Sequence, residues 1–212
     1  VDIVIGGPPC QPFSVGGHQS GARDPRNGFP AFISAVRRTQ PKLWMFENVR
    51  GLLYRNKAYF NSILQELREI GYVVEFRLLN AKNYLVPQQR ERIIVVGSKT
   101  AFRFPLPSNK IVPARLAVGH LAAQIPDDAK FLTESQDRYI AKYELASKCA
   151  KPRDLDLDRP ARTLTCRNLA GATGDMQRVK LPDGRRRRLR LLVAALLHSF
   201  PSWFSFTGAE SR

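Results

Sequence analysis

Long apolar runs are missing from this chain of 212 residues, so no stretch of it suits a membrane-spanning helix. Cysteine is scarce. Cys10, Cys149 and Cys166 stand far apart and none belongs to a Cys-x-x-Cys pair. That excludes a disulfide scaffold and the common zinc spacings, and it points to a reducing compartment. Histidine is equally thin, with His18, His120 and His198 scattered, so no metal centre is read. Acidic residues are few: 18 Asp and Glu against 34 Lys and Arg leave a formal net charge of +16. An excess of that size implies a polyanionic partner, with nucleic acid first. A membrane surface is the other class such charge allows, but no basic amphipathic helix with a Trp/Phe face supports it.

The most informative stretch that is present runs from Gly6 to Ser14, Gly-Gly-Pro-Pro-Cys-Gln-Pro-Phe-Ser, after the apolar Val1-Asp2-Ile3-Val4-Ile5. Two glycines and two prolines force a rigid turn where a strand ends, and Cys10 sits at its crest. In open α/β sheets ligands bind in the crevice at the carboxyl ends of strands, which makes Cys10 a candidate nucleophile. A lone cysteine in that position is more often a small buried hydrophobe. The polar, glycine-bearing stretch from Ser14 to Gly28 reads as a long binding loop or lid.

Phe29, Phe32, Ile33 and Val36 recur at helical spacing, and Leu43 to Phe46 is a short strand. Phe60, Ile63, Leu64 and Leu67 mark a second amphipathic helix that Gly71 stops. Val74, Phe76 and Leu78 alternate with Glu75 and Arg77, and Ile93 to Val96 is a further apolar strand. This order predicts a doubly wound α/β sheet whose last two strands are antiparallel. From about Lys99 the texture changes. Pro105, Pro107, Pro113 and Pro126 interrupt it, so residues 99–158 are expected to form a small irregular region between a first part, 1–98, and a third, 159–212. The third part carries the basic run Arg185-Arg186-Arg187-Arg188, readable as a phosphate clamp or as a charged hairpin tip.

Four segments in order carry a family resemblance. Pro8-Pro9-Cys10-Gln11-Pro12-Phe13-Ser14 follows one strand and Glu47-Asn48-Val49 follows another. Gln88-Gln89-Arg90-Glu91-Arg92 has the pattern Gln-x-Arg-x-Arg before a strand, and Arg159-Pro160-Ala161-Arg162-Thr163-Leu164-Thr165 comes later. Each alone has a bland reading: a Glu after a strand is usually a solvated turn residue, and arginines before a strand usually face water. Together they resemble the DNA (cytosine-5)-methyltransferases from Ile3 to about Phe206, most weakly over 99–158.

The resemblance implies a class-I S-adenosylmethionine-dependent methyltransferase sheet of Rossmann-like α/β type, here partial, with 99–158 as the target-recognition region. It implies Cys10 as the nucleophile that adds to cytosine C6, with Glu47, Arg90 and Arg92 completing the catalytic set. Pro9 and Phe29 match cofactor-touching positions. Gln11, Ser14, Asn48, Gln88, Arg162 and Thr163, with the run Arg185 to Arg188, are the candidates for contact with double-stranded DNA. The target cytosine must leave the duplex stack to be reached, and the loop from Gln11 to Gly28 is the segment expected to close over it. The Phe-x-Gly-x-Gly turn that precedes the cysteine motif in the family has no counterpart, nor has its closing Gly-Asn motif. The Arg-Glu pair expected near Arg190 to His198 is replaced by apolar residues. The expectation is therefore a piece of a longer protein, whose S-adenosylmethionine pocket a further segment or complementary chain completes. Its expected compartment is the cytoplasm, with the nucleoid. A tRNA cytosine-5 methyltransferase of the same family and an inactive nucleic-acid-binding remnant are the alternatives.

Overall fold

A computed structural model describes residues 1–9, 27–54, 56–146, 148, 153–166, 169 and 176–206. The elements in chain order are β1 (Ile3–Gly6), α1 (Phe29–Thr39), β2 (Leu43–Val49), a single turn α2 (Gly51–Tyr54), α3 (Lys57–Glu69) and β3 (Val73–Asn80). There follow β4 (Gln88–Gln89), β5 (Glu91–Ser98), α4 (Ala114–Ala122), α5 (Glu134–Ala146), β6 (Ala161–Arg162), β7 (Arg178–Lys180), β8 (Arg186–Arg188) and α6 (Leu191–Leu197). They divide into two units, residues 1–80 with 91–106, and residues 81–90 with 107–212.

The first unit is a four-stranded sheet in the order β1-β2-β5-β3. β1 runs parallel to β2, and β5 runs antiparallel to both its neighbours. The antiparallel pair expected from the sequence is therefore present, with β5 inserted between β2 and β3. The two helix stripes read from the sequence, Phe29/Phe32/Ile33/Val36 on α1 and Phe60/Ile63/Leu64/Leu67 on α3, join Trp44, Phe46, Val74, Ile93 and Val95 in one core. Both helices thus cover the same sheet face. On the other face Ile3 and Ile5 are exposed. Each large side chain buried in this core contributes roughly 1.5–3 kcal/mol.

Register follows from one contact. Trp44 on β2 stands opposite Gly97 on β5. A Cβ at position 97 would fall 2.0 Å from the indole, so the fully buried Trp44 fills the space a side chain there would need. β2 also runs further than the apolar run suggests, because Glu47, Asn48 and Val49 continue to pair with Ile94, Ile93 and Arg92. Glu47 and Asn48 are thus strand residues rather than residues after the strand.

In the second unit, α4 buries only small side chains, Ala114, Val118 and Ala122, in a core with Leu164, Val179, Leu189, Val193 and Leu197. β4 pairs with β6, and β7 with β8 in a hairpin whose turn holds Gly184 at φ 86°. The stretch expected to be irregular contains two regular helices, α4 and α5, and its residues 99–106 belong to the first unit. Among the described residues no helix is long and apolar enough to cross a membrane.

Two glycines give opposite expectations. Gly97→Ala forces an atom into Trp44 and should lower stability by about 1–3 kcal/mol, the usual cost of overpacking. Gly119→Ala, within α4 and facing only the flexible Arg115 side chain, should raise it by about 0.5–1 kcal/mol through helix propensity. Denaturant unfolding of both variants checks the pair.

Candidate active site

Glu47 and Arg92 share the sheet face opposite the helices. Glu47 pairs with Ile94, and Arg92 lies two residues before Ile94 on β5, so the side chains meet diagonally across the ladder. Arg92 Nε donates to Glu47 Oε1 at 2.6 Å, and the two side chains are 19% and 43% exposed. The carboxylate is therefore held by a charge-assisted bond and stays open to a partner. Beside it, Arg50 pairs with Glu91 at 2.8 Å.

Asn48 points to the other face and is buried. Its Nδ2 donates to Pro8 O at 3.0 Å, and its Oδ1 accepts from Val49 N at 2.9 Å. Both ends of the amide are engaged, so Asn48 fastens the Pro-Pro turn to β2 and is not placed to touch DNA. Gly28 supports that turn from the far side, since a Cβ there would lie 2.4 Å from Pro9 Cδ. Cys10, Gln11 and Ser14 lie outside the described residues. Of the two cofactor candidates, Pro9 is exposed, whereas Phe29 is fully buried with its ring edge-on to Phe46 and Tyr59. Phe29 is a core residue. Its neighbour Asn27 accepts from Phe29 N and donates to the Tyr59 hydroxyl, tying the start of α1 to α3. Burial raises the Tyr59 pKa, with the Asn27 bond opposing.

The second unit holds the remaining candidates. Gln88 is fully buried: its Nε2 donates to Leu197 O at 3.2 Å and its Oε1 accepts from Leu164 N at 3.2 Å. It braces three segments and cannot reach DNA. Arg90 Nη1 donates to Leu164 O at 3.2 Å, and Thr163 Oγ1 donates to Gln89 O at 2.7 Å. Arg162, on β6, is exposed.

The arginine run belongs to the hairpin, which corrects the phosphate-clamp expectation for two of its members. Arg187 is buried and donates to Leu121 O and Ala122 O, the last carbonyls of α4, where a cation suits the helix dipole. Burial and then the charge of Arg190 lower its pKa. Arg186 pairs with Asp154 and Asp137, each at 3.1 Å. Burial works against its charge, yet those two carboxylates outweigh it and raise its pKa. Arg185 is exposed, paired with Asp183 and laid over the Phe131 ring at 4.5 Å, and Arg188 is half-buried. A further arginine gave no sequence signal. Arg178, fully buried, donates to Asp154 at 2.7 Å and to Glu144 at 2.8 Å. Only the fold brings these partners, from α5, β7, β8 and the loop before β6, together. Among the described residues no cluster of His, Cys, Asp or Glu could hold a metal ion.

The family model for the C-5 cytosine-specific DNA methylases matches residues 1–212. Type II methyltransferase M.AplI of Arthrospira platensis is 55% identical over 212 residues, covering 99% of this chain and 61% of that protein. Type II methyltransferase M1.HphI of Haemophilus parahaemolyticus is 32% identical, covering 99% of this chain and 62% of that protein. The chain thus spans about three fifths of their length. The S. pombe Dnmt2 methyltransferase superposes with a TM-score of 0.70 at 16% identity, over 99% of this chain and 70% of its own. A putative DNA modification methyltransferase from an E. coli prophage superposes at 0.62 with 19% identity, over 97% and 70%. These likenesses carry the methyltransferase fold.

The bracing role of Gln88 separates from DNA contact in one variant. Gln88→Ala leaves Leu164 N and Leu197 O buried without their partner and should cost about 1–3 kcal/mol in unfolding experiments. DNA affinity of the folded fraction should stay within about twofold of wild type, since the side chain lies inside the protein.

Proposed function

Because this chain belongs to the C-5 cytosine-specific DNA methylase family, we propose that it is the catalytic part of a DNA (cytosine-5)-methyltransferase of a restriction-modification system. The observation that carries the reading is within the first unit. Asn48 holds the turn leading into Cys10, while its neighbour Glu47 presents an Arg92-paired carboxylate on the opposite face of the same strand end. The turn that precedes the nucleophile and the acid are thereby tied to adjoining residues of one strand.

The chemistry assigns each residue a task. Cytosine C5 is a poor nucleophile, and covalent addition at C6 activates it. The Cys10 thiolate forms a bond to C6, and the displaced electron pair moves toward N3 and O2. Glu47, taking up a proton as the base binds, donates it to N3, so stabilises that charge, and takes it back when the ring is restored. Arg92 keeps the Glu47 carboxyl oriented, and a base seated against it displaces the water that now reaches it. S-adenosylmethionine, when bound, supplies the electrophilic methyl group. Departure of Cys10 as thiolate, with loss of the C5 proton to solvent, restores the ring. Pro9 supports placing one wall of the cofactor's site here, since it offers an exposed apolar surface on a turn locked by Asn48 and Gly28. Ile3 and Ile5, exposed on the face away from α1 and α3, support a further segment completing the fold and that site. Residues 99–158 supply target recognition in this reading, duplex DNA is the substrate, and the cytoplasm is where the two meet.

Transfer of labelled methyl from S-adenosylmethionine to mixed-sequence duplex DNA and to tRNA tests this. Label should enter DNA, vanish with Cys10→Ser and fall by about 10²–10⁴-fold with Glu47→Gln. Label in tRNA alone, or label indifferent to Cys10, overturns the proposal. Salt-sensitive DNA binding with no transfer, even after the rest of the protein is restored, identifies an inactive remnant.

A further inference from the structure

α5 sorts its charges by face. Its inward acids, Asp137 and Glu144, are taken up by Arg186 and Arg178. That leaves Glu134 at the amino end as the one carboxylate of the helix outside the network. Ile140 is the only side chain the helix buries. The outer side carries Glu134, Arg138 and Lys142 in one row, cationic beyond its first turn, and Tyr139 and Tyr143 in the next, both at i, i+4 spacing. Arg138 and Lys142 are exposed and form no ion pair among the described residues. The two tyrosine rings stack at 6.3 Å with planes 20° apart, and Tyr139 is 53% exposed. Arg153 adds a cation at the Tyr143 ring, 5.7 Å from its centroid, and donates to its hydroxyl.

We propose that this outer face of α5 is a sequence-independent anchor for the phosphate backbone of duplex DNA, made by Arg138, Lys142 and the Tyr139 hydroxyl. It rests on the reading of the chain as a DNA enzyme and adds a site to it. Three observations carry it. The helix turns Asp137 and Glu144 inward onto arginines and keeps the exposed Arg138 and Lys142 on its outer side. The exposed tyrosine is held by stacking, so its hydroxyl is offered at little entropic cost. The chain as a whole is +16, so a polyanion is the complementary partner. Phosphate contacts from Arg, Lys and Tyr fix position on the duplex and carry no sequence information. This face therefore sets affinity and leaves the choice of bases to other residues. The basic run of the sequence was the obvious candidate for that task, yet Arg186 and Arg187 face inward.

Equilibrium binding to duplexes of unrelated sequence, across a salt series, tests the anchor. Arg138→Gln combined with Lys142→Gln should weaken binding to every duplex alike and reduce the slope of log K against log salt by about 2. Tyr139→Phe should weaken binding a few-fold with the slope unchanged, because it removes a neutral donor. Arg68→Gln, an exposed cation on α3, is the control and should do neither. Wild-type affinity and slope in the double variant overturn the anchor while the enzymatic reading stands. Failure of the wild-type protein to bind duplex DNA at all overturns both. A change of sedimentation in the variants with unaltered DNA affinity means that the face meets a second copy of the chain, and it also overturns the anchor.

Discussion

The indole of Trp44 occupies the space that any side chain at position 97 would need, and the site depends on that fit. A strand displaced by one residue turns every side chain to the wrong face. With Trp44 seated over Gly97, β2 and β5 have one register. Trp44, Phe46 and Asn48 then face the helices, and Glu47 faces the other way, within reach of Arg92. One packing constraint thus sets two polar contacts of different purpose. Asn48 binds the turn before the cysteine, and Glu47 meets its guanidinium.

Arginine serves this chain in two ways. Arg178, Arg186 and Arg187 are structural: they neutralise Asp137, Glu144 and Asp154 or cap the end of α4. Charges so buried add little net stability when paired, but removing a partner is costly, typically about 3–5 kcal/mol. Their value here is geometric, since they hold α5 to the β7–β8 hairpin. The cations that remain outside, such as Arg138, Lys142 and Arg162, are those a polyanion can meet. Net charge read from composition names the partner class, and the fold decides which cations are left to serve it.

Much of the first unit was legible because its elements bury large side chains. The stripes on α1 and α3 and the runs in β2 and β5 are strong periodic signals, and all four appear in one core. α4 and α5 leave no periodic signal in the sequence, for a physical reason. α4 buries two alanines and a valine, and α5 buries Ile140 alone, so neither writes a stripe against the surrounding prolines. In the site, motif order led to Glu47 and Arg92, which the structure joins. It also suggested ligand contact for Asn48, Gln88 and Phe29, which are buried and engaged within the protein. Motif residues that fix the backbone read the same as residues that touch substrate until burial is known. The Arg178 network was invisible because its partners lie 24 and 34 residues away in sequence.

The central claim is that Glu47 and Arg92 act as a unit on the base to which Cys10 adds. A double-mutant cycle on the rate of covalent adduct formation addresses it directly. The substrate is duplex DNA carrying 5-fluorocytosine, with S-adenosylmethionine present. Glu47→Gln and Arg92→Met should each slow the adduct, and the double variant should be scarcely slower than Glu47→Gln alone, because groups in one interaction are not additive. Losses that multiply in the double variant would contradict the account, for they would mean that the two side chains act on the base separately.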